Sequence, residues 1–260
     1  MGARKRTLSG ATTHVGRVRR NNEDTFLVRP DLGLWLVADG MGGHRSGDVA
    51  STLVRLSIAD FFEVTAGETS WDATFTSRSD DAWPAPARRL AASIRKANHD
   101  VFAAAASHIQ RRGMGSTVVA CHIDEAEPAT LHVAHVGDSR CYRMRNRGLE
   151  QLTSDHSLVN EALAIDPTMT PEELARLPQN IITRALGMEA TVEVELTAVD
   201  VAPGDTYILC SDGLSGLLSR EEMRDAVALV DDASEVCEVL VAMANEAGGN
   251  DNVTAVALKV

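Results

Sequence analysis

The stretch GSTVVACHIDEAEPATLHVAHVGDSRCYRMRNRGLEQL, residues 115–152, decides the fold class. Apolar and β-branched residues concentrate in four short segments of it, at 115–123, 130–136, 140–145 and 149–152. Segments of this length joined by short turns predict four successive strands of an antiparallel meander. Such a meander argues against a doubly wound parallel sheet, in which helices alternate with strands.

Further strands and helices are predicted on both sides of this meander. The additional strands are short apolar or β-branched runs at 24–29, 33–38, 191–199, 205–210 and 253–260. Helices are predicted at 48–62 and from 84 to 109 by apolar periodicity, and after Ser219 and Asp232 by capping-box sequences. The fold class is therefore α+β, with sheets packed together and helices outside them.

Residues 153–187 interrupt the pattern of strands with a polar segment. The segment contains Asp155, His156 and the helix-capping sequence TPEE at Thr170–Glu173. Long insertions of this kind often form lids or flaps beside a binding site. We therefore expect a flap at about 153–187 within a single domain that spans residues 1–260.

Charge and cysteine content restrict the class of protein. The chain carries 25 basic and 37 acidic residues, a net charge of −12, so a basic face for nucleic acid is not expected. No uncharged apolar run approaches the ~20 residues that span a bilayer, and no signal-peptide pattern begins the chain, so no membrane association is expected. The four cysteines are far apart, which suits reduced thiols in the cytoplasm.

Acidic and amide residues fall where predicted strands start or stop. They form five groups, at Asn22–Asp24, Asp39–His44, Gly137–Arg140, Ser211–Gly213 and Gly248–Asn252. Carboxylates that converge from several strand ends repel one another unless protons or cations offset their charge. Oxygen ligands, without His or Cys at zinc spacing, favour Mg²⁺ or Mn²⁺ over Zn²⁺.

Each group taken alone is typical of a turn, since Asp-Gly and Asp-Ser are common turn sequences. Asp39-Gly40 is followed by two more glycines and a histidine, which give more backbone freedom than a simple turn requires. The occurrence of all five groups in one chain favours a metal site over five unrelated turns.

Eight ordered motifs between about Ala11 and Val260 resemble those of the bacterial metal-dependent protein phosphatases of type 2C. They are VRRNNED (18–24), VADGMGGH (37–44), STVVA (116–120), HVGDSRCYR (135–143), LTSDHS (152–157), IITRALG (181–187), CSDGLSG (210–216) and GGNDNVT (248–254). The resemblance implies hydrolysis of phosphoserine and phosphothreonine on proteins. It also implies two antiparallel sheets packed as a central sandwich, flanked by helices on both outer faces, with residues 153–187 as the flap.

The resemblance also implies a set of metal ligands for two or three Mn²⁺ or Mg²⁺ ions. Asp39 would bridge two ions, the carbonyl of Gly40 would join the second, and Asp212 and Asp251 would complete the first. Glu23 and Asp24 would act on the second ion or its waters, and Asp138 with Asp212 would hold a third, weaker ion. A hydroxide that bridges two such ions would attack phosphorus directly, without a protein nucleophile.

Arg19 matches the arginine that grips the substrate phosphate in the family, and its planar fork suits phosphate oxygens. Eukaryotic members place a proton-donating histidine two residues after the bridging aspartate, where this chain has Met41. The nearest imidazole is that of His44, which is either the general acid for the leaving alkoxide or a structural hydrogen-bonding group. The other histidines, including His132 and His135, are interpreted as strand or surface residues, and the role of His156 in the flap stays open.

Two other functions remain open from the sequence. One is a catalytically silent, phosphoprotein-binding member of the same fold, although an intact ligand set counts against it. The other is a two-metal hydrolase of small phosphoesters. For the phosphatase we expect a monomer whose partners are phosphorylated proteins, the substrates of a Ser/Thr kinase.

Overall fold

In the computed structural model, described for residues 8–42, 46–68, 71, 73–124, 129–178 and 180–260, eleven strands form two antiparallel sheets. The strands are β1 (Leu8–His14), β2 (Asp24–Arg29), β3 (Leu34–Met41), β4 (Gly115–Ser116), β5 (Val118–Asp124), β6 (Thr130–Val136), β7 (Arg140–Arg145), β8 (Gly148–Gln151), β9 (Glu195–Asp200), β10 (Thr206–Cys210) and β11 (Val253–Lys259). The first sheet has the order β1-β11-β10-β7-β8. The second has the order β2-β3-β5-β6-β9, with β4 paired to β3.

Seven α-helices accompany the sheets within these described ranges. They are α1 (Gly47–Val64), α2 (Ala85–Ser107), α3 (Leu158–Ile165), α4 (Pro171–Leu174), α5 (Asp212–Ser215), α6 (Arg220–Leu229) and α7 (Ala233–Glu246). Helices α1 and α2 pack on the outer face of the second sheet, and α6 and α7 pack on the outer face of the first. A third apolar cluster fills the space between the sheets.

The central strands are apolar along their whole length because both of their faces are buried. In β3, Leu34 and Leu36 face the helices α1 and α2, whereas Trp35 and Val37 face the first sheet. In β10, Ile208 packs towards the outer helices while Tyr207 and Leu209 enter the layer between the sheets. This α-β-β-α arrangement confirms the predicted α+β sandwich.

Several strand boundaries differ from those predicted. β3 does not end at residue 38 but continues to Met41, because β4 pairs with its last two residues, Gly40 and Met41. The run predicted as one strand at 115–123 is therefore two strands, separated at Thr117. β1 was not predicted, and β9 begins at Glu195 rather than at residue 191.

Two of the predicted capping boxes are present with both of their reciprocal hydrogen bonds. They join Thr170 to Glu173 at α4 and Ser219 to Glu222 at α6. At α7 the side chain of Asp232 accepts from the backbone N–H groups of Ser234 and Glu235, but Glu235 does not return the bond. The helix starts were therefore predicted correctly, and one capping motif was not.

The segment 153–187 contains α3 and α4, and an isolated bridge between Ser157 and Ile182 holds its two ends together. A second bridge, between Ser116 and Leu186, and the hydrogen bond from His156 N to Gly137 O attach these ends to the body. The helices described by the structure include none that is long and apolar enough to cross a membrane.

Candidate metal centre

A cavity with a volume of about 560 cubic ångströms (Å³) opens where strands and loops of both sheets meet. Its lining includes all but one of the predicted ligand and phosphate-binding residues that the structure describes, namely Arg19, Glu23, Asp39, Gly40, Asp138, Asp212 and Asp251. Asn180 and Ile182 of the segment 153–187 form part of the same wall. The structure thus brings together residues that are more than 200 positions apart in the sequence.

Asp39 is held inside β3 rather than beyond its end. Asp39 is paired with Asp24 of β2 in the register of the second sheet. Its backbone is fixed by Thr117, whose N–H donates to Asp39 O at 2.8 Å and whose Oγ1 accepts from Asp39 N at 3.2 Å. Interruption of the predicted 115–123 strand at Thr117 is therefore part of how the site is built.

The other three cavity aspartates lie in the connections next to strand ends. Asp138 occupies the turn between β6 and β7, and Asp212 follows β10 as the first residue of α5. Asp251 precedes β11, where its Oδ1 accepts a hydrogen bond from Asn252 N at 2.8 Å. The prediction that carboxylates converge from several strand ends therefore describes these three residues well.

Asp24 lies behind the cavity wall and is almost completely buried. Its Oδ2 accepts hydrogen bonds from Ser211 Oγ at 2.8 Å and Thr254 Oγ1 at 2.7 Å. Its Oδ1 is buried without a hydrogen-bond partner among the described residues, as is Oδ1 of Asp212. Buried carboxylate oxygens without donors are costly unless a proton or a cation satisfies them.

Burial and, after it, the crowding of the carboxylates raise their pKa values. Burial, followed by the charges of Asp24 and Asp212, raises the pKa of Asp39 well above its usual value. Burial also raises the pKa of Asp24 to about 6 and that of Asp138 to about 7, in both cases with a contribution from Asp212. Burial and the charge of Asp251 raise the pKa of Asp212, and a side-chain interaction with Asp39 partly offsets this shift. These all-oxygen donors fit divalent cations such as Mg²⁺ or Mn²⁺.

Glu23 enters the cavity from the start of β2 and meets the first residue of α1. Its carboxylate accepts a hydrogen bond from the backbone N–H of Gly47, although burial and the charge of Asp48 still raise its pKa. β3 and α1 are so close here that a Cβ on Gly40 would lie 2.0 Å from Gly47 O. A side chain at position 40 would therefore collide with α1, and only glycine lets the backbone of residue 40 lie this close to Gly47 and to the carboxylates of the cavity.

Arg19 stands at the exposed rim of the cavity. Its Nη2 donates to Asp251 Oδ2 at 2.5 Å, and just over half of its side-chain surface is accessible. One contact of this kind leaves other donors of the guanidinium group available to an incoming anion. Arg19 is thus placed beside the carboxylates, as expected for a phosphate-binding residue.

The sequence did not predict the role of Asn252, which joins the connection between β1 and β2, where Arg19 lies, to the connection before β11, where Asp251 lies. The buried Asn252 accepts from Glu23 N at 2.8 Å through Oδ1, and its Nδ2 donates to the carbonyl groups of Val15 and Asn21, both at 2.9 Å. The motif GGNDNVT contains this residue. Only Asp251 of this motif was predicted to have a role in the site. An asparagine whose side chain bonds to backbone groups has no distinctive sequence pattern.

His44 lies outside the described residues, so its predicted role has no structural counterpart here. His135 lies in a strand, as predicted, but its contact with His156 was not predicted. His135 and His156 are buried and stacked, with ring centroids 4.6 Å apart, and they lie next to Glu195. His135 belongs to β6 and His156 to the segment 153–187, so neither a strand pattern nor a spacing rule predicts that they meet.

A cleft lined by carboxylates with an arginine at its rim is the arrangement expected of a metal-dependent phosphoester hydrolase. Residues 12–253 match the family described as protein phosphatase 2C. The serine/threonine phosphatase stp of Listeria monocytogenes is 36% identical over 245 residues, which cover 93% of this chain and 91% of that protein. The chain belongs to the protein phosphatase 2C family, as the motifs predicted.

Solved structures agree with this assignment. The crystal structure of the Mycobacterium tuberculosis serine/threonine phosphatase PstP/Ppp is 33% identical, with a TM-score of 0.82 and 98% of both chains covered. A structure of the catalytic domain of PstP in complex with two manganese ions is also 33% identical, with a TM-score of 0.79 and 97% of both chains covered.

Proposed function

We propose that this protein hydrolyses phosphoserine and phosphothreonine on other proteins, with Mn²⁺ or Mg²⁺ as cofactor. The observation that carries the proposal is the convergence of carboxylates from both sheets on one cavity, with Arg19 at its rim. Family membership and relatives named serine/threonine phosphatases confirm the predicted enzyme class. The names of these relatives favour neither of the two alternatives, the silent phosphoprotein-binding protein and the hydrolase of small phosphoesters.

We assign the metal-binding role to the oxygen donors of the cavity and of the residues behind it, which are Glu23, Asp24, Asp39, Gly40, Asp138, Asp212 and Asp251. The raised pKa values of Asp39 and Asp212, and the unpartnered Oδ1 atoms of Asp24 and Asp212, mean that a divalent cation removes an electrostatic cost at this position. Such ions, when bound, supply Lewis-acid activation of water and of phosphoryl oxygens.

Arg19 binds and orients the phosphate group in this proposal. In the structure its guanidinium bonds to Asp251, so the arriving phosphate competes for a donor that already faces the carboxylates. The change of partner brings positive charge to the phosphoryl oxygens and leaves the oxygens of Asp251 to a cation. His44 is the proposed proton donor to the leaving alkoxide, with a structural role as the alternative.

The substrates are phosphoproteins, as the relatives' names imply, and we propose that a Ser/Thr kinase produces them. Four buried free cysteines are consistent with a reducing compartment, and we place the protein in the cytoplasm. We further propose that the protein acts as a monomer and on neither nucleic acid nor membranes. The acidic net charge supports the exclusion of nucleic acid.

Competition between substrates tests whether a protein is the substrate. A phosphothreonine peptide is expected to inhibit hydrolysis of a small chromogenic phosphoester competitively, and to be hydrolysed with a kcat/KM at least about tenfold higher, because it also contacts the cavity rim. The unphosphorylated peptide is the control. Faster turnover of the small ester, without inhibition by the phosphopeptide, would instead favour a hydrolase of small phosphoesters.

A further inference from the structure

The turn that carries Asp138 is held between two different parts of the molecule. On one side Thr117 packs so closely that a Cβ on Gly137 would lie 2.7 Å from its side chain, and Gly137 has a φ of +104°. Thr117 Oγ1 also lies 2.7 Å from Ser139 Oγ. This side connects the turn to Asp39, which Thr117 fixes through its backbone bonds.

On the other side, His156 satisfies both backbone polar groups of Gly137. The N–H of His156 donates to Gly137 O at 3.0 Å, and the N–H of Gly137 donates to His156 Nδ1 at 3.1 Å. His156 O accepts in turn from Thr183 N at 2.9 Å. One buried residue therefore joins both ends of the segment 153–187 to the residue that precedes Asp138.

The surroundings of His156 fix its ring and its tautomer. Because Nδ1 accepts from Gly137, the neutral ring is assigned a proton on Nε2. Nε2 lies 3.2 Å from Glu195 Oε2, its acceptor in this tautomer, and 3.2 Å from the Nη1 atom of Arg184. The ring stacks on His135, whose Nε2 bonds to Ser154 O at 2.8 Å. Burial and the neighbouring His135 lower the pKa of His156 to about 4, so the ring is neutral near pH 7.

The same contacts argue against a metal ion between these histidines, even though ligand atoms of His135, His156 and Glu195 lie within 4.8 Å of one another. Nearly parallel stacked rings direct their in-plane lone pairs along separate planes, so both cannot point at one ion. The guanidinium of Arg184, with Nη1 3.2 Å from His156 Nε2, would also repel a cation.

We propose that His156 is a positioning residue, which sets the place of Asp138 in the metal centre by holding Gly137 from the base of the flap segment. The inference rests on the proposed function, since it takes Asp138 as a metal ligand. Partners of this kind behind metal ligands typically change metal affinity or activity by about 10–100-fold when they are replaced. His156 therefore couples the segment 153–187 to the cation that Asp138 holds.

Two conservative variants separate the bond to Gly137 from the rest of the histidine. Asparagine in His156→Asn can place an acceptor near the position of Nδ1, whereas glutamine in His156→Gln reaches towards Nε2 and Glu195 only. Titration calorimetry with Mn²⁺ gives a readout other than activity, and Asp138→Ala identifies the binding event that depends on Asp138. His132→Gln is a matched control, because His132, which lies in β6, is buried like His156 but has no hydrogen-bond partner among the described residues.

In His156→Gln the dissociation constant of the Asp138-dependent event is expected to rise about tenfold, with His156→Asn and His132→Gln within about threefold of wild type. If the event is lost in Asp138→Ala but unchanged in His156→Gln, the positioning role is wrong and the proposed function stands. If both His156 variants lose only thermal stability, His156 is merely structural and the inference is likewise overturned. Absence of Mn²⁺ binding even in wild type would contradict the proposed function and the inference together.

Discussion

Replacing Asp39 with asparagine is expected to lower kcat by about three orders of magnitude or more, which corresponds to about 4 kcal/mol of transition-state stabilisation. Asp39 is the carboxylate on which Asp24, Asp138, Asp212 and Asp251 all act electrostatically, so its charge is central to cation binding. The fold should persist, because asparagine has nearly the same shape as aspartate and its neutral amide is not repelled by the neighbouring carboxylates. Removal of one buried acidic group should also leave the metal-free chain at least as stable as wild type.

Steady-state kinetics on a phosphothreonine peptide, with circular dichroism and melting temperature measured in parallel, check this prediction. Asp231→Asn is a suitable control, since Asp231 is exposed and also loses one negative charge on substitution. Activity in Asp39→Asn within about tenfold of wild type would remove Asp39 from the proposed metal-binding role.

The second large effect is a metal-dependent gain in thermal stability that increases with pH. In the metal-free chain the pKa of Asp24 is raised to about 6 and that of Asp138 to about 7, and those of Asp39 and Asp212 are also raised. These groups hold their protons more tightly when folded than when unfolded. Their contribution to stability is therefore complete below about pH 4, the ordinary aspartate value, and is lost as the pH rises towards 7.

Divalent cations should reverse this loss, because they bind the deprotonated carboxylates and not the protonated ones. At a Mn²⁺ concentration of about 100 times the dissociation constant, the gain is about 2.7 kcal/mol, or roughly 5–10 °C in melting temperature for a chain of this size. Melting curves with Mn²⁺ and with EDTA at pH 5 and pH 7.5 are expected to show a clearly larger difference at pH 7.5. An equal difference at both pH values, or none, would contradict the electrostatic description of the site.

Much of the fold could be predicted because its central strands are buried on both faces. The run LWLVA before Asp39 and the segments from residue 115 to residue 152 are recognisable from composition alone. Strand β1 was missed because Leu8–His14 contains mostly small and polar residues. Its partner, β11, begins at Val253, and a pairing over that separation leaves no local signal.

The candidate site was predicted in its charged residues and not in the residues that hold them. Aspartates at strand ends are conspicuous, whereas Ser211 and Thr254, which bond to Asp24, resemble ordinary strand-end hydroxyl residues. His156 was noted in the sequence only as uncertain. Its function as a link depends on Gly137, a residue 19 positions away that only the folded chain brings against it.

The most direct test of the central claim is phosphate release from a phosphothreonine peptide, measured with EDTA and then with added Mn²⁺ or Mg²⁺. The proposed function predicts no release with EDTA and turnover that is restored when the metal ion is in excess. Release that is unaffected by chelation, or no release with any metal ion from protein shown to be folded, would contradict the assignment of this carboxylate cavity as a metal-dependent phosphatase site.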